Sequence, residues 1–421
     1  MATRRKPNAA PAAEAVTPDP APAPAPAAPA KKKAAAPAKK TAAPVPAPDP
    51  APAPASAAAA KKKAAAPARA AAPAKAATPA KAASILPRLV LVTGATGFVG
   101  QHVVRMLKNE GFRVRVLVRN PERLSHLAGL CDEVVQGDLT RPTSIEGCCD
   151  GVNAVIHCAC AVAGTFDAGA DAVQEFMKVN RDGTQALARE VLRHPGLRMV
   201  HVSSTAAMGP PATSVVNEDA PCNPKTPYQR SKRAAEEVLL QLHADHGLNV
   251  VMIRPCVVAG PGKEKSELLT LFKLTRHVPL PIPSGVERLT KPLVWIDDLV
   301  QALLLGIDRG DAGAIYFVHS DAGHRLGDLV DAAAACWGRR RGWVSIPIGL
   351  FRAAASSMDA LNRVFPNWNP PLTRDRLRLL TMDRRIDINR ARTALGYVPQ
   401  VVDAHWMLRQ TWQAYRDAGK L

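Results

Sequence analysis

The chain lacks the cysteine patterning of a structural metal site. Its eight cysteines, at 131, 148, 149, 158, 160, 222, 256 and 336, form no paired CxxC knuckles and meet no histidine pair at ligand spacing, which argues against zinc. Most of them read as small core residues, with thiols kept reduced in a cytosol-like compartment. No apolar run reaches the roughly 18 residues that a membrane-spanning helix needs, and no signal-peptide pattern is present. The expectation is a cytoplasmic protein without a transmembrane segment, with organellar or membrane-surface placement left open.

Residues 1–86 lack aromatic side chains altogether and have almost no branched aliphatic ones. They are mostly Ala, Pro and Lys, with Lys31-Lys32-Lys33, Lys39-Lys40 and Lys61-Lys62-Lys63 set between Ala-Pro runs. Such a stretch cannot bury enough apolar surface to offset chain entropy, so it is expected to be a disordered, polyproline-like tail. It carries 14 Lys+Arg against 3 Asp+Glu, or +11 of the chain's formal +19, leaving +8 for the rest. Three roles stay open for it: a solubilising extension, attraction to nucleic acid or another polyanion through counterion release, and a targeting peptide.

What the chain does have begins at Leu89–Val92, an apolar stretch that runs directly into Thr93-Gly94-Ala95-Thr96-Gly97-Phe98-Val99-Gly100. This order reads as strand, tight turn and helix start. Glycine at 94 permits a sharp turn, glycine at 97 leaves room for backbone to approach a pyrophosphate, and glycine at 100 lets the helix pack on the sheet. Gln101 to Glu110 then puts Val103, Val104 and Leu107 on one helical face, Gly111 stops it, and Val114–Val118 reads as the next strand. No Gly-Lys-Ser/Thr follows, so a P-loop is excluded.

From about Arg88 onward, β-branched runs alternate with helical segments, the pattern of a parallel sheet covered on both faces. The predicted strands end at Gly137-Asp138, at Cys158-Ala159-Cys160-Ala161, at Ser203-Ser204 and at Arg254-Pro255. In an open α/β sheet these ends share the edge where ligands bind, so all four are expected in one crevice with the glycine loop. Tyr228 and Lys232, four apart on a helix with Ala235, Val238, Leu239 and Leu242 along its apolar face, share a side. An ammonium beside a phenol favours phenolate, so Lys232 is expected to lower the Tyr228 pKa and fit it for proton exchange with an alcohol or carbonyl oxygen. Ser204 is placed to donate a hydrogen bond to the same oxygen.

Together with GDL at 137–139, VNRDGT at 179–184, VSSTAAMG at 202–209, PYQRSK at 227–232, RPCVVAGPG at 254–262 and ALGYVP at 394–399, these motifs resemble the extended short-chain dehydrogenase/reductase family, nearest its 3β-hydroxysteroid dehydrogenase-like branch. The resemblance covers Leu89 to about Tyr415. It implies an α/β Rossmann fold, a doubly wound parallel sheet over 87–257, with a smaller, interleaved substrate-binding region at 258–421. It implies Tyr228 as general acid/base, Lys232 as its partner and a holder of the nicotinamide ribose, and Ser204 as the hydroxyl at the site, with Ser203 and Thr205 as competitors. Gly94, Thr96, Gly97, Phe98, Val99, Gly100, Asp138, Leu139 and Ala159 would contact cofactor, and Asn180 would lie near the pocket or pack helices.

Relatives that prefer NAD carry an acidic residue at the end of the second strand, where this chain has Val118-Arg119-Asn120. Arginine suits a 2′-phosphate, so NADP(H) is favoured over NAD(H). The acidic pair that dehydratases place after the serine is replaced by Thr205-Ala206. Pro255–Pro261 is apolar where sugar-nucleotide epimerases carry asparagine. Both departures point to a secondary alcohol or ketone of a lipophilic small molecule; a nucleotide-sugar epimerase and a non-enzymatic cofactor- or polyanion-binding protein are the alternatives. A stripe of Leu350, Ala354, Met358, Leu361 and Phe365 is expected to pack in the substrate domain, to wall its pocket or to meet a membrane. Trp337, Arg339–Arg341 and Trp343 read as a surface turn or an anionic subsite, Asp298 as a helix cap, and a homodimer as the family's habit.

Overall fold

The computed structural model describes residues 88–162, 172–210, 215–263, 266–320, 323–364 and, with short gaps, 372–421. The lysine-rich segment 1–86 and Phe365 lie outside the described residues. In chain order the first strands are β1 (Leu89–Thr93), β2 (Arg113–Val118), β3 (Glu133–Gln136), β4 (Ala154–His157), β5 (Arg198–Val202) and β6 (Val215–Val216). They are followed by β7 (Val250–Pro255), β8 (Val257–Ala259), β9 (Leu280–Pro283), β10 (Leu293–Trp295), β11 (Ile315–Val318), β12 (Trp343–Ile346) and β13 (Arg385–Ile386).

Seven of these form one parallel sheet in the order β11-β7-β5-β4-β1-β2-β3. Chain order reverses at β1, with β2 and β3 on one side and β4, β5, β7 and β11 on the other. That reversal opens a crevice outside the strands' carboxyl ends, over the glycine loop. Because every pairing is parallel, Thr93 lies beside His157, and His157 beside His201. Three further pairs, β8 with β10, β9 with β12 and β6 with β13, are parallel as well.

Side chains alternate across the sheet and build an apolar layer on each face. Val90, Val92, Ile156, Val200 and Ile253 pack under helices α1 (Phe98–Asn109) and, later in the chain, Ile296–Asp308. Leu91, Val155, Met199 and Met252 pack on the other face, with Leu187 and Leu239 from helices that follow β4 and β5. A sheet covered on both faces explains why its strands read as nearly continuous apolar runs. The helix predicted over 101–110 begins three residues earlier, at Phe98, because Gly97 serves as its N-cap. Gly111, at φ +80°, turns the chain out of it.

Candidate active site

The glycine loop is pressed against the β4 turn. A Cβ on Gly94, whose φ is +71°, would stand 2.6 Å from the Ala159 amide nitrogen, and a Cβ on Gly100 would collide with the Gly94 carbonyl. Gly97 caps α1 without a side chain, so no capping group covers the first-turn amides. Thr96 faces a cleft of about 360 Å³ lined also by Val118, Arg119, Asn120 and Arg123. The Asn120 carboxamide accepts from the Glu122 amide at 2.9 Å and starts the short helix that carries Arg123. Arg123, an exposed second arginine in this cleft, escaped the sequence reading; its spacing of four from Arg119 across a Pro121 helix start was the available signal. Asp138 stands at the end of β3. Burial would raise its pKa, but hydrogen bonds from the Thr140 amide and hydroxyl and the charges of Arg119 and Arg141 outweigh it and hold the carboxyl low. Leu139 packs against Gly183.

Under the loop runs a buried polar chain. The Thr93 hydroxyl meets His157 Nδ1 at 2.7 Å, His157 Nε2 meets Thr184 Oγ1 at 2.9 Å, and Thr184 donates to the Asn180 carbonyl. Thr184, with its proton on that carbonyl, accepts from Nε2, so His157 is the neutral Nε2–H tautomer and Nδ1 accepts from Thr93. Burial, helped by the Lys232 charge, pushes His157 down to about 3, and neighbouring His201, whose ring nitrogens have no partner among the described residues, goes well below its ordinary value. Above their folded pKa values both histidines stay neutral in the folded protein and take up protons only on unfolding. The stability present above about pH 6.5 is therefore lost as pH falls toward the folded pKa values, at about 1.4 kcal/mol per pH unit for each. His201→Leu should lower that slope by one such increment between pH 6.5 and 5, measured by urea unfolding. Equal slopes for variant and wild type would contradict this.

The helix α4 (Pro227–His246) presents the phenol; α2 (Ala172–Met177) and α3 (Gly183–Leu192) precede it. Its start is set by a capping box: Thr226 Oγ1 accepts from the Gln229 amide and Gln229 Oε1 from the Thr226 amide, both at 3.2 Å, with Pro227 in the first turn. Tyr228 is thus held one residue inside a stiff helix end. Asn180, in the π-helical turn Lys178–Asp182, accepts from the Ala161 amide at 2.7 Å and donates to the Ala161 carbonyl and to Ser231 Oγ. It ties the β4 loop to the helix that bears Tyr228. Phe176 lies edge-on to the phenol ring at 6.0 Å between centroids.

Ser204, Tyr228 and Lys232 come together at the carboxyl end of β5. Ser204 caps the short helix Thr205–Met208 by accepting from the Ala206 amide, and its hydroxyl lies near enough to the Tyr228 phenol to favour the ionised form. The expected lowering of the Tyr228 pKa is overturned. Burial, then Cys160, push the phenol above its ordinary value, and the nearby Ser204 hydroxyl only partly opposes them. Lys232, fully buried, directs Nζ to the Val202 carbonyl at 2.7 Å. Ser203 is no competitor to Ser204, because its hydroxyl donates to Glu236 Oε1 at 2.5 Å.

Glu236 also pairs with Arg254, Nε to Oε1 and Nη2 to Oε2 at 2.7 Å each, and both side chains are wholly buried. Arg254 therefore does not face the crevice, contrary to the reading of the strand ends, and the phase of β7 turns it into the interior. Asp298 departs from expectation too. It lies inside α6 (Ile296–Asp308), which follows α5 (Glu267–Thr275), and it accepts from the backbone amides of Gln400 and Val401 rather than capping the helix.

A family model described as the NAD dependent epimerase/dehydratase family matches residues 90–318. Sterol demethylase protein B of Methylococcus capsulatus is 31% identical over 339 residues, covering 79% of this chain and 99% of that protein. UDP-glucose 4-epimerase of Vibrio cholerae is 29% identical over 345 residues, covering 79% of this chain and 97% of its own length. The crystal structure of gox2253 superposes with a TM-score of 0.66 at 26% identity, covering 79% of this chain and 99% of the other.

Proposed function

Since this chain belongs to the NAD dependent epimerase/dehydratase family, we propose that it is an NADP(H)-dependent oxidoreductase of a secondary alcohol or ketone in a lipophilic small molecule. The observation that carries the reading is the meeting of Ser204, Tyr228 and Lys232 at the same sheet edge as the glycine loop. The loop fits a dinucleotide: Gly94 and Gly100 leave no room for a Cβ, and the first-turn amides of α1 have no side-chain cap. Gly94, Thr96, Gly97, Phe98, Val99 and Gly100 would hold the pyrophosphate, with Asp138, Leu139 and Ala159 beside the adenosine half. When bound, the cofactor supplies or accepts the hydride.

The chain's own groups handle the proton. In reduction Tyr228 Oη donates to the substrate oxygen, and in oxidation it takes the proton back, with Ser204 Oγ hydrogen-bonding that oxygen throughout. A phenol held high by burial is protonated at neutral pH and ready to donate. The groups around it, Phe176 and Cys160, favour an apolar substrate. Pro255–Ala259 adds no polar side chain for a sugar nucleotide's phosphates, since Val257–Ala259 forms the apolar strand β8.

Arg119 and Arg123 support the choice of NADP(H). Both are exposed in one cleft, and neither makes an ion pair among the described residues. Losing a charge-assisted contact to a 2′-phosphate costs about 1.5–3 kcal/mol, or about 10- to 150-fold. Arg119→Ala should lower the NADPH/NADH ratio of kcat/KM by that factor, and Arg123→Ala should lower it in the same direction. An unchanged ratio in both would remove the proposed role. A nucleotide-sugar epimerase is the second reading, favoured by the 97% coverage of the Vibrio cholerae enzyme.

A further inference from the structure

We propose that the face formed by the end of α5 and the turn before β12 docks on an anionic lipid bilayer. Three apolar side chains stand out there, Leu274 at 51% exposure, Val278 at 61% and Val344 at 45%. Two structural links bring the pieces together. The Trp337 indole, on the segment after α7 (Leu326–Ala335), donates to the Phe272 carbonyl at 2.9 Å, and Arg339 donates to the Thr275 carbonyl. The β9–β12 pairing then sets Val344 beside Pro281.

Basic residues surround these apolar ones. Arg276 lies over the Trp337 ring at 5.0 Å and Arg341 over Trp343 at 4.8 Å, with Arg340 exposed between them. No acidic residue occurs from Leu268 to Val286 or from Ala332 to Met358, a span that holds Lys273, Arg276, Arg339–Arg341 and Arg352. On the packed helix, Asp331 is occupied by the Gly342 amide and the Trp343 indole.

Apolar side chains ringed by arginine and interfacial tryptophan match the boundary between headgroups and acyl chains, where each group meets its complement. A nucleic-acid backbone would satisfy the arginines and leave Leu274, Val278 and Val344 in water. A second copy of this face would bring arginine against arginine. The proposal does not depend on which substrate the enzyme takes.

Flotation of the full chain with vesicles of phosphatidylcholine containing about one part in four phosphatidylglycerol tests it. Leu274→Ser/Val278→Ser leaves every charge, the lysine segment included, unchanged. In about 0.5 M salt, where long-range attraction is screened, this pair should lower the bound fraction about tenfold or more. Arg340→Glu/Arg341→Glu should weaken binding chiefly at low salt, and Val134→Ser, at an exposed apolar site on β3, should bind as wild type. The proposal is overturned if the serine pair floats like wild type, or if wild type does not float at all. It is equally overturned if the arginine pair loses duplex DNA while the serine pair still floats, or if the serine pair changes only the oligomeric state.

Discussion

Tyr228→Phe is expected to lower kcat for ketone reduction by about 10²- to 10⁴-fold while leaving cofactor affinity near its wild-type value. The substitution keeps the ring against Phe176 and the capping box at Thr226, so the helix end and its neighbours stay in place. What it removes is the phenolic oxygen proposed to give the substrate oxygen its proton. Burial raises the phenol's pKa, so the reductive kcat/KM should be flat across neutral pH and fall only on the alkaline side, as the donor is lost. Stopped assays of both enzymes across pH, with cofactor binding measured by fluorescence, check the pair of outcomes. A phenylalanine variant with a kcat within tenfold of wild type would assign the proton to another group.

Glu236→Ala is expected to be the most damaging change to stability, at about 3–5 kcal/mol, because it strands the Arg254 guanidinium in the interior. Arg254 has no exposed surface, its Nε and Nη2 both end on this carboxylate, and its Nη1 has no partner among the described residues. Cys222 Sγ, at 3.7 Å, is a weak substitute acceptor. The loss also frees the Ser203 hydroxyl, next to Ser204. A double variant, Glu236→Ala/Arg254→Met, removes both charges and should recover a large part of the loss, a coupling that a double-mutant cycle with Glu236→Ala and Arg254→Met alone measures in urea. Strict additivity of the two single changes would show that the ion pair is not the unit that matters.

The sheet edge was legible from sequence because it is written in local patterns. Apolar runs at Leu89–Val92, Val114–Val118, Ala154–His157 and Val250–Arg254 each end in small or polar residues, and all four are strands in the parallel sheet. The convergence of Ser204 with Tyr228 followed from motif order alone. Long-range pairings were not legible. Ile315–Val318 closes the sheet beside β7, yet a four-residue run so far from its partner has no local mark. Arg254 carries the same β-strand pattern whether it faces a crevice or a buried Glu236, and only the phase of the strand decides.

The C-terminal stripe shows the same limit on a helix. Leu350 and Leu361 are 61% and 48% exposed, whereas Ala355 is fully buried on α8 (Ile348–Val364). The buried position is Ala355, so the packed face is rotated from the one the leucines suggest. Tyr228's pKa was misjudged for a related reason. Spacing on a helix tells that Lys232 shares its side, but not that the Val202 carbonyl takes the ammonium and that burial raises the phenol.

The central claim is net hydride exchange between a nicotinamide and a separate substrate. Its most direct measurement is NADPH absorbance during turnover of a panel of sterol-like ketones and nucleotide sugars, with substrate loss followed in parallel. The account predicts that a lipophilic ketone is consumed in equal amount to NADPH, that NADH serves less well, and that Tyr228→Phe stops both changes. Turnover of a nucleotide sugar with tightly held cofactor and no net change in nicotinamide absorbance would contradict it.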